Sequence, residues 1–154
     1  MRFLVATVGR PKQGDLAVAI DEYERRAARY WPLEWRAVRE EPARSRTPDE
    51  VREREGVRLL DAAGSASVLV ACDAEGTLMQ STEFADWLRK LREDGRDVAF
   101  VIGGAYGLSD EVRRRSTLML AFARWTLPHD IARLVLAEQL YRAGTIGRGE
   151  PYHK

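Results

Sequence analysis

Four short runs of almost unbroken apolar residues punctuate this chain: RFLVATVG, SVLVAC, DVAFVI and TLMLAF, ending at Gly9, Cys72, Ile102 and Phe122. Each is short for a buried helix, and a run without polar alternation has no face to offer to water. Such strands are stable when both faces of their sheet are covered, which is the condition of a parallel sheet between helical layers. The intervening segments supply the covers. DLAVAIDEYERRAARY places Leu16, Ile20, Tyr23 and Ala27 at helical spacing. LEWRAV, Leu33 to Val38, alternates apolar and polar and predicts a further strand with one wet face. After the polar loop REEPARSR, Thr47-Pro48-Asp49-Glu50 opens a helix with Thr47 as N-cap, Pro48 in the first turn and Glu50 closing a capping box. STEFADWLRKLRED sets Phe84, Trp87, Leu88 and Leu91 on one side and stops at Gly95, and a further helix starts at Ser109-Asp110-Glu111. The last helix, DIARLVLAEQLYRA, is expected from about Asp130 to Ala143. No repeat or low-complexity linker intervenes, so the expectation is one α/β domain over residues 1–154 on a mostly parallel sheet.

Composition removes several classes of function. Hydrophobic content of 45% and charged content of 32% read as a soluble globular protein. The first apolar run is too short for a membrane span, and its early Pro and Lys do not make a signal-peptide cleavage site, so the expected address is the cytoplasm with no membrane partner. Cys72 is the sole cysteine and His129 and His153 are the histidines, so neither a disulfide nor a metal cluster is expected. A net charge of +1 gives little indiscriminate hold on nucleic acid. Any such hold must come from local patches: Arg10 with Lys12, Arg113 to Arg115, or Arg148 with Lys154. Each of these also reads as an ordinary solvated face.

Two loops follow buried strands at the edge where open α/β sheets bind ligands. In IGGAYGLSDEV, Gly103, Gly104 and Gly107 permit a sharp turn and close approach of a ligand to the backbone. No Lys-Ser or Lys-Thr follows, and G-G-x-x-G misses the dinucleotide fingerprint. Asp110 and Glu111 would oppose a phosphate at that helix start, which favours a neutral or cationic ligand over a triphosphate; taken by itself, the loop reads as a plain turn. In ARWTLPHD, Pro128 fixes the bend, and Ala123 to Leu127 can offer backbone groups to the edge of a planar base. His129 then opens the last helix, as a ligand-facing group or a first-turn polar residue. In that helix Ile131, Leu134, Val135, Leu136, Ala137, Leu140 and Tyr141 cover most of the circumference. A helix so apolar is covered on more than one side, and in so short a chain a second subunit is the expected cover. Glu138 and Arg142, four apart, are either a surface pair or a charged pair at that seam.

FVIGGAYGL, TLPH and the ending EQLYRAGTIGRGEPYHK together resemble the RlmH (YbeA) family of ribosomal RNA large-subunit methyltransferases, in the SPOUT superfamily. The resemblance spans the chain and is most specific in its last third. It implies a SPOUT-type α/β knot: a homodimer whose C-terminal third threads a deep trefoil knot, a topology too rare to propose on physical grounds. It also implies S-adenosyl-L-methionine as methyl donor and N3 of a pseudouridine in helix 69 of 23S rRNA, in the assembled 70S ribosome, as acceptor. Carried over by motif, the adenosyl site takes Cys72, Gly103, Gly104, Ala123, Arg124, Trp125, Thr126, Leu127 and Pro128. The family usually has an aliphatic residue in place of Cys72, which assigns that side chain to packing. Along the 123–128 loop, backbone contacts are expected.

Transfer to an imide nitrogen needs an in-line approach and removal of the N3 proton. His153, Tyr152, Glu138 and His129 are candidates for the base, and the sequence does not choose among them. Tyr152 is also suited to stacking on a nucleobase, and Arg142 to holding a phosphate or carbonyl. The alternatives are a frayed end for PYHK and, for the whole chain, a knotted ribosome-assembly or RNA-binding factor without transfer activity.

Overall fold

A computed structural model describes residues 1–154. In chain order the elements are β1 (Phe3–Val8), α1 (Asp15–Ala27), β2 (Leu33–Val38), α2 (Pro48–Ala63), β3 (Val68–Leu78), α3 (Ser81–Glu93), β4 (Val98–Ile102), α4 (Asp110–Arg115), β5 (Leu118–Ala121), α5 (His129–Gly147) and a 3-10 turn (Pro151–His153). The strands form one five-stranded sheet, ordered β2-β1-β4-β3-β5 and parallel throughout. Alternation along each strand divides the core into two layers. Phe3, Val5, Val70 and Phe100 pack under α1, α3 and α5, whereas Leu4, Ala6, Ala71 and Val101 pack under α2 and α4. Edge strand β2 is the half-wet one, as its alternation requires.

Local chemistry accounts for the helix ends. Thr47 Oγ1 accepts from Glu50 N at 3.2 Å, and Glu50 Oε2 accepts from Thr47 N at 2.8 Å, completing the capping box. Gly64 and Gly95, at φ 60° and 65°, take the left-handed geometry that closes α2 and α3.

Two elements outrun their sequence signals. Past Cys72 the pairing of β3 is interrupted and then resumes with Thr77 opposite Leu120 and Leu78 opposite Ala121. Polar residues through this stretch conceal a strand from any reading based on apolar runs. A β-carbon on Gly76 would stand 2.5 Å from the Met119 backbone, so glycine is what lets the two strands meet again. Helix α5 continues past Ala143 to Gly147 because Gly144 lies flat against the Tyr30 ring, which a β-carbon would overlap.

The cover of α5 differs from the expectation. The helix beds between α1 and α3 above β1 and β4, and Leu136 and Leu140 are 0% exposed within the single chain. Most of its apolar circumference is thus covered intramolecularly, so that feature alone does not demand a second subunit. What remains is a half-buried stripe of Ile131, Leu134 and Val135. No helix is long and apolar enough to cross a membrane.

Candidate active site

The carboxyl ends of β3, β4 and β5 open into a cleft of about 680 Å³. Its walls bring together Cys72, Gly103, Gly104, Ala123, Trp125, Thr126, Leu127, Pro128 and His129. These residues meet because three parallel strands end at one edge and each releases its loop there. Arg124 is not among them. Its guanidinium turns away and donates to Ala74 O at 3.0 Å and Gly76 O at 2.7 Å, pinning the loop to the extension of β3. The Trp125 ring is 77% exposed at the mouth.

The glycines are required by what lies behind them. Gly107 N donates to Gly104 O at 3.1 Å, and Gly107 sits at φ 81°, a left-handed value that only glycine adopts freely. A β-carbon on Gly103 would stand 2.6 Å from the Gly107 carbonyl, and one on Gly104 would stand 2.5 Å from Glu55 Oε2 and 3.0 Å from Val8. The loop therefore folds back on itself and lies directly on a buried carboxyl group. Burial raises the Glu55 pKa above the usual carboxylate range; the Glu41 N–H, 3.4 Å from Oε1, opposes this and the nearby Glu40 adds to it. Nothing local in the helical sequence around Glu55 announces this role; the contact is visible only in three dimensions.

The polar side of the cleft comes from β3 and α4. Ser109 Oγ accepts from Val112 N at 3.3 Å and starts α4, which carries Arg113 to within 2.9 Å of Asp73 on the cleft wall. Desolvation, with the Asp73 charge beside it, pushes the Cys72 thiol far above its ordinary range, so this side chain stays a neutral packing group. Sequence reasoning missed Asp73, Tyr106 and Arg113 as lining residues. Arg113 was legible only as one of three consecutive arginines.

The other candidate residues assemble elsewhere. Glu138 Oε1 accepts from Arg142 Nε at 3.0 Å and Nη2 at 2.5 Å, and from the Tyr152 hydroxyl at 3.2 Å. Gln139 donates to the second oxygen at 2.7 Å. The Tyr152 ring packs 4.5 Å from Tyr141, centroid to centroid, and Arg142 lies over it at 5.0 Å. Residues 151–153 are therefore a folded turn held to α5 and not a frayed end. Desolvation, reinforced by hydrogen bonding to Tyr23 and by the Glu138 charge, drives the Tyr152 phenol far above its usual range, so it remains protonated. His153 Nδ1 is 3.1 Å from Glu150 O, a contact that requires Nδ1–H to donate and leaves Nε2 free to accept. None of Glu138, Arg142, Tyr152 and His153 lines the cleft of its own chain. Glu138 is roughly 13 Å further along α5 than His129, at the helical rise per residue.

A parallel sheet with a cleft built from backbone loops at its carboxyl edge defines the broad class, an α/β fold with a candidate small-molecule site at the strand ends. A family model described as predicted SPOUT methyltransferase matches residues 1–153. Ribosomal RNA large subunit methyltransferase H of Gemmatimonas aurantiaca is 56% identical over 154 residues, covering 100% of both chains. The protein of the same description from Anaeromyxobacter dehalogenans is 46% identical over an equal span, again covering 100% of each. Among solved structures, a probable methylase family protein from Haemophilus influenzae Rd KW20 has a TM-score of 0.60 at 14% identity, over 99% of this chain and 70% of that one. A probable methyltransferase from Bordetella pertussis Tohama I reaches 0.57 at 16% identity, over 92% and 95%. At those identities the two structures speak to fold alone. The chain belongs to the SPOUT methyltransferases and, within them, to the ribosomal RNA large subunit methyltransferase H (RlmH) family.

Proposed function

We propose that the protein transfers a methyl group from S-adenosyl-L-methionine to 23S rRNA, and that the acceptor is N3 of a pseudouridine in helix 69 of the assembled 70S ribosome. The observation that carries this reading is the cleft itself. It lies at the ends of β3, β4 and β5, where the Gly103–Gly107 turn and the 122–128 loop converge. The residues present fit the cofactor. A space of about 680 Å³ lies in the range of small-molecule sites. Backbone groups from Ala123 to Pro128 suit the edges of an adenine, and the apolar Ile102, Leu108 and Leu127 suit its faces. When bound, the cofactor supplies a sulfonium-activated methyl group. Gly103, Gly104 and Cys72 would form the floor beneath it.

The chain's own groups then orient the acceptor and take its proton. Tyr152, held protonated, serves as a stacking surface or a donor and not as the base. Glu138 is engaged by Arg142, Gln139 and Tyr152 and acts as the anchor of the turn. The imidazoles remain. His129 stands on the cleft wall, and His153 presents a free Nε2.

The separation of the 151–153 turn from its own cleft supports a homodimer in which one subunit's turn completes its partner's cleft. The half-buried stripe on α5 is the face available for that contact. Return of the chain from β5, at the sheet edge, to α5 over the central strands is compatible with a knotted C-terminal third. The reading further comprises a single domain over residues 1–154, acting in the cytoplasm.

Calorimetric titration with S-adenosylmethionine, followed by transfer of a tritiated methyl group to ribosomes lacking the modification, tests the proposal. Micromolar binding and incorporation into 23S rRNA are expected. Binding without incorporation would leave an RNA-binding factor, and absence of both would remove the cleft from consideration as a cofactor site.

A further inference from the structure

We infer that Arg113 determines specificity for the amino-acid end of the methyl donor by taking its carboxylate, and that Asp73 is the positioning residue that aims the guanidinium. This rests on the cofactor reading above. The ligand has chemically distinct parts. Apolar walls and backbone loops satisfy a base and a ribose, but a free α-carboxylate in a partly enclosed cleft needs a fixed cation. Among the lining residues Arg113 is the one guanidinium or ammonium group, and Asp73 is the one carboxylate.

The geometry leaves Arg113 with donors to spend. Its Nη2 is 2.9 Å from Asp73 Oδ2, while Nη1 is 3.7 Å from Glu75 Oε2, beyond hydrogen-bond reach. Its Nε–H is buried and has no acceptor within the chain. Because Nε is closed to solvent, the donors within reach of a ligand are those of Nη1 and Nη2, of which Nη2 is ion-paired with Asp73. Each oxygen of Asp73, by contrast, has a partner within the chain. Its side chain is 9% exposed, with Oδ1 accepting from Glu75 N at 3.0 Å and Oδ2 facing Arg113. A carboxylate held this way fixes the orientation of the guanidinium. The neighbouring arginine has another fate: Arg114 pairs with Glu111 in solvent, its side chain 73% exposed. Only the first arginine of the EVRRRS run is on the cleft wall.

Ligands differing only in the amino-acid end test this. The parent protein and the variants Arg113→Met, Arg113→Lys and Asp73→Asn are titrated calorimetrically with S-adenosylhomocysteine and with 5′-methylthioadenosine, which lacks that end. Arg113→Met should weaken S-adenosylhomocysteine by about tenfold or more, the loss of one charge-assisted hydrogen bond. Its affinity for methylthioadenosine should stay within about twofold, which also shows that the variant is folded. Arg113→Lys should retain part of the discrimination, and Asp73→Asn should lose part of it. Equal losses for both ligands, or no loss for either, would overturn the assignment. An Asp73→Asn protein indistinguishable from the parent would overturn the positioning role. A parent that binds neither ligand would overturn the cofactor reading and this inference with it.

Discussion

Gly104 is small because Glu55 is behind it. A methyl group there would press on the Glu55 carboxyl oxygen and on Val8, so either those side chains give way or the loop moves into the cleft. Gly104→Ala should therefore cost about 1–3 kcal/mol in urea denaturation, in the range of overpacked sites. It should also weaken S-adenosylmethionine binding, and Gly104→Val should abolish that binding while the fold persists. Trimming Glu55 to Ala in the Gly104→Ala background should recover part of the lost affinity, because the two residues share one contact. Glu55 carries a pH signature as well. Its pKa is raised in the folded chain, so the native state holds this proton more tightly than the unfolded state does. The associated stability is fully present below the unfolded pKa and is lost as pH rises through the folded one. Glu55→Gln removes that dependence. Relative to the parent, the variant should gain stability as pH rises above the ordinary carboxylate range, measured by urea midpoints. A difference that stays flat with pH would show that the carboxyl group is not desolvated.

Among the elements, the 151–153 turn is the one whose loss should separate binding from transfer. It lines no part of its own cleft, so deleting Pro151 to Lys154 should leave S-adenosylmethionine affinity within a few-fold while methylation of ribosomes nearly vanishes. Parent-rate methylation by the truncated protein would make the turn an ornament of α5 and leave His129 as the base. The elements also show what a sequence makes legible. The apolar strands were readable because β1, β4 and the first part of β3 are buried throughout and β5 is at least half-buried, and α2 because Thr47 and Glu50 are close partners in one capping box. The extension of β3 was not, since its pairing with β5 is carried by backbone and by polar residues. Motif matching placed the 123–128 loop at the cleft but could not say that the Arg124 side chain turns to Ala74 and Gly76. Glu55 was silent for a related reason: it acts on residues from distant elements, and a helical residue carries no local mark of its long-range contacts.

At the scale of the whole molecule, the covered core of α5 and its outer stripe should respond differently to charge. Leu136 and Leu140 are wholly buried within one chain, and a glutamate at either would bury an unpaired carboxylate and unfold the protein. Leu134→Glu or Val135→Glu, on the half-buried stripe, should instead yield a folded monomer by sedimentation and far-UV circular dichroism. A variant that still sediments as a dimer would place the interface elsewhere. The central claim is that one subunit's cleft works with the other subunit's turn, and a heterodimer tests it. One subunit carries Gly104→Val and the other lacks Pro151 to Lys154, each with its own affinity tag, so that neither homodimer methylates ribosomes. In the doubly purified heterodimer one site pairs the intact cleft with the intact turn. Methyl incorporation at roughly half the parental rate is expected, one of two equivalent sites being whole. A heterodimer as inactive as the two homodimers would show that cleft and turn act within a single chain, and would contradict the composite site.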